Sequence, residues 1–256
     1  MSEPPVAWSR PQFVTGGGPP FLLYAVFSER EVTSPLSRRK YRSAGPPSGL
    51  QSQLYHAARH HEPFTSFRAG LLFEVFSQAH PDAARAVSNS PCCTVLSGPI
   101  EGASSLEYLR DTIGLVQFLL DQGGHAVYDP QMFAWWTPES WRREVFEPDA
   151  PRPRRHVTTL ISREQDTRRL WLHTRGLRKF GRPDLSLRQL PEEHRDAAIG
   201  AFQGLIERQA AGYRIPENHE LRVAAWPRGL FGRYGGSVDD PEFNNRHVAW
   251  VWPVDS

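Results

Sequence analysis

The stretch from Cys92 to Asp129 constrains this chain more than any other, because an amphipathic helical pattern lies there between two short strand patterns. In "SSLEYLRDTIGLVQFLLDQGG", Leu106, Leu109, Ile113, Val116 and Leu120 recur at three- and four-residue steps and form one apolar stripe. Ser104 and Glu107 have the spacing of a capping box, and Gly123 stands where a helix stops. "CCTVLSG" before it and "HAVYD" after it read as strands. A helix with one apolar stripe must bury it against another layer, so the segment predicts a strand, helix, strand unit packed on a sheet.

Other segments extend this pattern. "FLLYAVF", Phe21 to Phe27, reads as a buried strand among "TGGGPP" and "SAGPPSG", which interrupt regular structure. Leu71 to Phe76 is a second strand candidate, and "HPDAARAV" places Pro81 and Asp82 in a helix's first turn. Thr137 and Pro138 suit the cap and first position of a short helix carrying Trp141 and Val145. His156 to Ser162 and Arg168 to His173, joined by "REQDT", form a hairpin pattern, and Asp184 to Arg188 alternates as a half-buried strand. A second helix opens at Pro191, presents Ala198, Phe202, Leu205 and Gln209 on one face and ends at Gly212. "ELRVAAW" and "RHVAWVWPV" read as further strands, the last with Trp250 and Trp252 facing one side and Val251 the other. Helices thus interrupt clusters of strands. The expected fold is α+β, a mixed and largely antiparallel sheet with two main packing helices, and the two strand, helix, strand segments hint at pseudo-repeated halves. The expected organisation is a Pro/Gly-rich segment over 1–50 with one strand and a single α+β domain over 51–256. "EPDAPRPRR", residues 147 to 155, is a candidate internal boundary because three prolines and clustered charges propagate neither helix nor strand.

Composition narrows the function classes. With 256 residues, 39% of them hydrophobic, the chain can bury a large core. There is no apolar run of about eighteen residues and no secretory pattern in "MSEPPVAWSRPQF", so the expectation is a cytoplasmic protein with no membrane partner. Positive charge comes from arginine except at Lys40 and Lys179, which with abundant Ala and Pro points to a GC-rich bacterial genome. The net charge of +2 is unlike that of a nucleic-acid-binding domain. Cys92 and Cys93 are adjacent on a strand and face opposite sides, which suits two buried small hydrophobes better than a redox or metal pair.

The phosphate loop, the dinucleotide fingerprint, the nucleophile elbow, the H-E-x-x-H pair and the Cys-x-x-Cys pair are all absent. His56, His60 and His61 in "LYHAARHHEPF" place two histidines one helical turn apart, but zinc needs a third ligand, so neither a metal nor a cofactor is expected. Asp129 with Trp135 and Trp136 suits either a pocket at a strand end or core packing. "LHTRGLRKFGRPDL" gathers Arg175, Arg178, Lys179 and Arg182 on a turn shaped by Gly176, Gly181 and Pro183; such cations either hold an anion or form a solvated face. Asn244, Asn245 and Arg246, before the last strand, are further binding candidates, the asparagines suiting turn anchoring as well as ligand reading. If the last strand pairs beside Trp171 to His173, then His173, Asp184 and His247 converge as an acid/base set.

Thr174, Gly176, Leu177, Phe180, Gly181, Pro183, Asp184 and Leu185 give the turn a T-x-G-[ML] start followed by [FL]-G-x-P-[ED]-L. In these residues, and in the preceding helix and "AVYD", the chain resembles an uncharacterised bacterial family of the domain-of-unknown-function type over roughly residues 92–226. The resemblance implies an accessory protein and carries no activity; similar-sized α+β domains that act as immunity partners of secreted toxins offer an analogy. The resulting expectation is a non-enzymatic binding protein that recognises a protein partner, a toxin being one candidate, through Trp and Arg anchors. The alternative is an enzyme acting on an anionic small substrate, with His173, Asp184 and His247 moving protons and Arg175 and Lys179 holding the anion.

Overall fold

A computed structural model describes residues 7–165 and 168–253. The protein is α+β, with two mostly antiparallel five-stranded sheets. Its contacts divide it into two compact units, Met1–Ser9 with Phe21–Arg152 and Arg10–Pro20 with Pro153–Ser256. The division between Arg152 and Pro153 falls inside "EPDAPRPRR".

The first unit contains β1 (Phe21–Ser28), α1 (Arg38–Tyr41), β2 (Gln51–His56), α2 (His61–Arg68), α3 (Leu71–Ala79), α4 (Pro81–Ser88), β3 (Cys92–Pro99), α5 (Glu107–Asp121), β4 (Gly124–Asp129), β5 (Ala134–Trp136) and α6 (Pro138–Trp141). The strands run β2-β3-β1-β4-β5, every pair antiparallel. β1 lies at the centre and is covered on both faces, which is why "FLLYAVF" is continuously apolar rather than alternating. On one face Ala25, Phe27, Cys93, Val95, Ala126 and Tyr128 pack with Phe64, Phe76, Ala84 and Val87 of α2, α3 and α4. Trp135 completes this layer, stacked on Tyr128 at 4.6 Å and on Phe76 at 5.1 Å. On the other face Leu22, Tyr24 and Val26 are buried, and Trp141 of α6 meets the Tyr24 ring edge-on at 5.7 Å. Each fully buried aromatic or branched side chain contributes roughly 1.5–3 kcal/mol, so both layers matter to stability.

The second unit contains β6 (Thr158–Arg163), β7 (Leu170–Arg175), β8 (Asp184–Leu190), α7 (Arg195–Ala210), β9 (Arg233–Gly235) and β10 (His247–Val251). The order is β6-β7-β8-β10-β9, antiparallel except for β8 and β10. A parallel pair needs a long crossover, and α7 with the chain that follows it supplies one. α7 buries Ala198, Phe202, Leu205, Ile206 and Gln209, with Phe202 against Trp250 at 6.4 Å. The two sheets have different strand orders and connections, so the units are not copies of one strand, helix, strand plan.

Several elements differ from their local signals. Leu71 to Phe76 is helix rather than strand; Phe76 is buried and Leu72 and Phe73 pack beside it, while Leu71 and Val75 stay exposed. A short apolar run satisfies either period, and packing against the sheet decided it. "ELRVAAW" forms turns with one isolated bridge, Glu220 to Phe231, and Ala225 (φ 64°) takes the chain out of the extended region that a strand needs. The Ser104 to Glu107 capping box does not form: α5 starts at Glu107, whose N–H donates to Ser105 Oγ at 3.4 Å. His56 ends β2 and does not share a helix face with His60; instead the His56 N–H donates to His60 Nδ1 at 3.1 Å.

Candidate functional site

The cationic turn lies in the second unit between β7 and β8. Gly176 (φ 116°) and Gly181 (φ 62°) bracket a tight 3-10 turn, Leu177–Phe180, and both occupy the left-handed region that glycine permits. Asp184 is fully buried at its end. Its Oδ1 accepts from Thr174 Oγ1 at 2.8 Å and from the Leu177 N–H at 3.2 Å, while Oδ2 accepts from Asn245 Nδ2 at 2.7 Å. Thr174 Oγ1 in turn accepts from the Leu185 N–H at 2.9 Å. Burial pushes the Asp184 carboxyl up to about 6, against the pull of those hydrogen bonds. Thr174, Gly176, Gly181, Asp184 and Leu185 are thus the residues that shape and close this turn.

The cations do not form the outward face that such a turn suggests. Lys179 has 0% exposure, and its Nζ donates to the His156 carbonyl at 3.0 Å. Arg175 is buried and donates to the Glu242 carbonyl. The buried Arg182 guanidinium donates to the carbonyls of Tyr213, Val14 and Gly212 at 3.0, 2.8 and 2.5 Å, with its Cζ 5.5 Å from the centre of the Phe13 ring. Arg178 is half-buried and donates to the Asn244 carbonyl at 3.1 Å. Asn245 is buried and also donates to the Arg182 carbonyl at 2.9 Å; only Asn244 and Arg246 of the predicted binding residues are exposed, Arg246 lying over Tyr234 at 5.4 Å. Buried guanidinium and ammonium groups need oxygen partners, and irregular backbone provides them here.

The acid/base candidates come near one another without joining. His247 lies opposite Asp184 in the β8/β10 register, and β8 separates β10 from β7, which carries His173. The His173 ring stacks on Trp171 at 4.0 Å and meets Phe243 at 5.5 Å, while Phe243 stacks on His247 at 4.2 Å. His173 and His247 make no hydrogen bond to Asp184, whose oxygens accept from Thr174, Leu177 and Asn245. His173 is held down to about 4 by burial and then by Arg175, Arg188 and His247; His247 is lowered by burial, with Asp240 opposing. Both imidazoles are neutral at pH 7, and this arrangement contains no proton relay through Asp184.

The first unit holds a cavity of about 360 Å³ that local patterns did not reveal. Leu54 of β2 and Thr94 and Leu96 of β3 form its floor, and Leu115, Phe118 and Leu119 of α5 form a wall. Val32, Pro46 and Leu50 close another side, and Glu31 brings a carboxylate to the rim. Alternation along β2 and β3 puts Ser52, Leu54 and His56 on the same face as Leu96, Thr94 and Cys92, their register partners. Four separate chain segments build this space, and the one local clue is an edge strand, "QSQLYH", that alternates weakly. Among the described residues no three His, Cys, Asp or Glu side chains gather as a metal-binding group. No helix of the described residues is long and apolar enough to cross a membrane.

Comparison with family models, with curated proteins and with solved structures finds no match to this chain.

Proposed function

We propose that the protein is a binding protein, and that the cavity between β2, β3 and α5 receives a small, largely apolar ligand. The observation that carries this reading is the cavity's combination of size and lining. About 360 Å³ falls within the range of small-molecule sites, and the lining is mainly leucine, phenylalanine, valine and proline, with Glu31, Gln51, Ser52 and Thr94 as its polar groups. Glu31 at the rim selects against anionic ligands and for neutral or cationic ones. N-phenyl-1-naphthylamine, a neutral apolar dye, tests the proposal. Its fluorescence should rise on binding, and Leu115→Trp, which fills the space, should weaken affinity about tenfold or more, a change of about 1.4 kcal/mol. A dye that ignores the wild-type protein, or binds both proteins equally, overturns the reading.

A second reading, recognition of a protein partner of the immunity type, draws support from α3. Leu71 and Val75 stand one helical turn apart and are 70% and 54% exposed. Two exposed aliphatic side chains on one helical ridge suit an anchor on another protein. A pull-down from native cells with the wild-type chain and with Leu71→Asp tests it. A specific protein lost with the variant supports this reading, and an unchanged set of captured proteins rejects it.

A further inference from the structure

Cys92 and Cys93 are sequence neighbours in different surroundings. Cys93 points into the aromatic layer with Phe27 and Phe64, where burial pushes its thiol up to about 12 and leaves it inert. Cys92 points to the opposite face, the one that carries the cavity floor. Its Sγ lies 3.7 Å from His56 Nδ1, directly across the β2/β3 ladder. This pair is one same-face step beyond Leu54 and Thr94, roughly 7 Å along the strands from residues that line the cavity. Glu31, on the cavity rim, is close enough for its charge to act on Cys92.

We propose that the cavity holds the chain of a neutral acyl ester or thioester and that Cys92 captures the acyl group covalently, with His56 accepting the thiol proton. This rests on the reading of the cavity as a ligand site. The chain lies across Thr94 and Leu54 toward Leu96 and Phe118, which brings the carbonyl carbon to Sγ. A bond forms between Sγ and that carbon, and the bond from the carbon to the leaving oxygen or sulfur breaks. The thiol proton passes to His56 Nδ1 and then to the leaving group, which departs as an alcohol or thiol. No oxidant or reductant takes part. Burial and Glu31 both hold the Cys92 thiol in its protonated form, so transfer depends on the adjacent imidazole rather than on a standing thiolate. The negative charge of Glu31 accounts for the requirement that the donor be uncharged or cationic.

The full-length protein treated with p-nitrophenyl octanoate tests the proposal. It should release one equivalent of p-nitrophenol and gain one octanoyl group, which peptide mapping places on Cys92 and not on Cys93. His56→Gln should slow acylation by about 100-fold. p-Nitrophenyl acetate should react at least about tenfold more slowly than the octanoate, and Leu115→Trp should remove that difference. An adduct spread equally over Cys92 and Cys93, or a rate unaffected by His56→Gln, overturns the capture. Binding of N-phenyl-1-naphthylamine without any adduct overturns it too while leaving the ligand site standing; failure of both overturns both. Mapping the wild-type adduct decides the site even if a Cys92→Ser variant does not fold.

Discussion

A lysine side chain shut away from water must donate hydrogen bonds to oxygen, and Lys179 donates one to the His156 carbonyl. Lys179→Ala should therefore destabilise the protein by about 2–4 kcal/mol, combining a lost hydrogen bond with a void. Arg246→Ala, at an exposed position, should change stability by no more than about 0.5 kcal/mol. Urea titrations of the two variants check the contrast, and equal effects would return these cations to a common surface role. Acid stability follows from buried titrating groups. His156 and His173 are held down to about 3 and about 4 by burial, from an ordinary 6.5; their stabilisation is fully present above 6.5 and is lost progressively as pH falls from 6.5 to those values. Asp184 works in the other direction. Raised to about 6 from 3.8, it contributes stability below 3.8 that is lost as pH rises through 6. The two histidines together are shifted further than the one carboxyl, so the protein should lose on the order of a few kcal/mol between pH 6.5 and 4. The urea midpoint should fall over that window, and His173→Gln should flatten the fall; a midpoint that rises on acidification would show that Asp184 dominates.

The connection between β7 and β8 shows how far local chemistry reaches. Gly176 and Gly181 mark a turn because only glycine takes those backbone angles readily, and Asp184 with Pro183 opens the next strand. A Cβ on Gly176 would meet the His156 carbonyl at 2.3 Å, in addition to the penalty of its positive φ. Gly176→Ala should lower stability by about 2 kcal/mol or more, and a thermal denaturation midpoint checks it; a change under about 0.5 kcal/mol would mean that the turn rearranges. The position and shape of this turn were legible in the sequence. The direction of its cations was not, because a side chain turns inward only when distant carbonyls, such as those of Tyr213 and Val14 for Arg182, come within reach. α3 was illegible for a similar reason. "LLFEVF" satisfies both periods, and its identity as helix depended on Phe27, Tyr128 and Trp135 offering Phe76 and Phe73 an aromatic surface.

Each unit of the molecule draws on the N-terminal arm, residues 7–20, through different side chains. In the first unit Trp8 Nε1 donates to the Asp149 carbonyl at 2.8 Å, and the Trp8 carbonyl accepts from the Leu106 N–H at 2.7 Å. In the second, Arg10 donates to the carbonyls of Ala210, Phe180 and Gln209 at 2.9, 2.9 and 3.1 Å. Trp8→Ala should lower hydrogen-exchange protection at the start of α5, and Arg10→Ala should lower it at the end of α7 and in the turn before Gly181, each by about 2–3 kcal/mol of local opening. Protection unchanged in either region would mean that the arm is not part of that unit. By itself the sequence determined the α+β class, the strand, helix, strand passage around α5, the β6 and β7 hairpin and the bend between β7 and β8. These depend on residue period and turn chemistry, which act over a few neighbouring positions. Only the tertiary structure decided that Arg175, Lys179 and Arg182 point inward, that Asp184 closes a turn instead of serving His173, and that Cys92 meets His56 beside a cavity. Each of those depends on groups far apart in the chain, whose meeting is set by strand register and by the need of every buried polar atom for a partner.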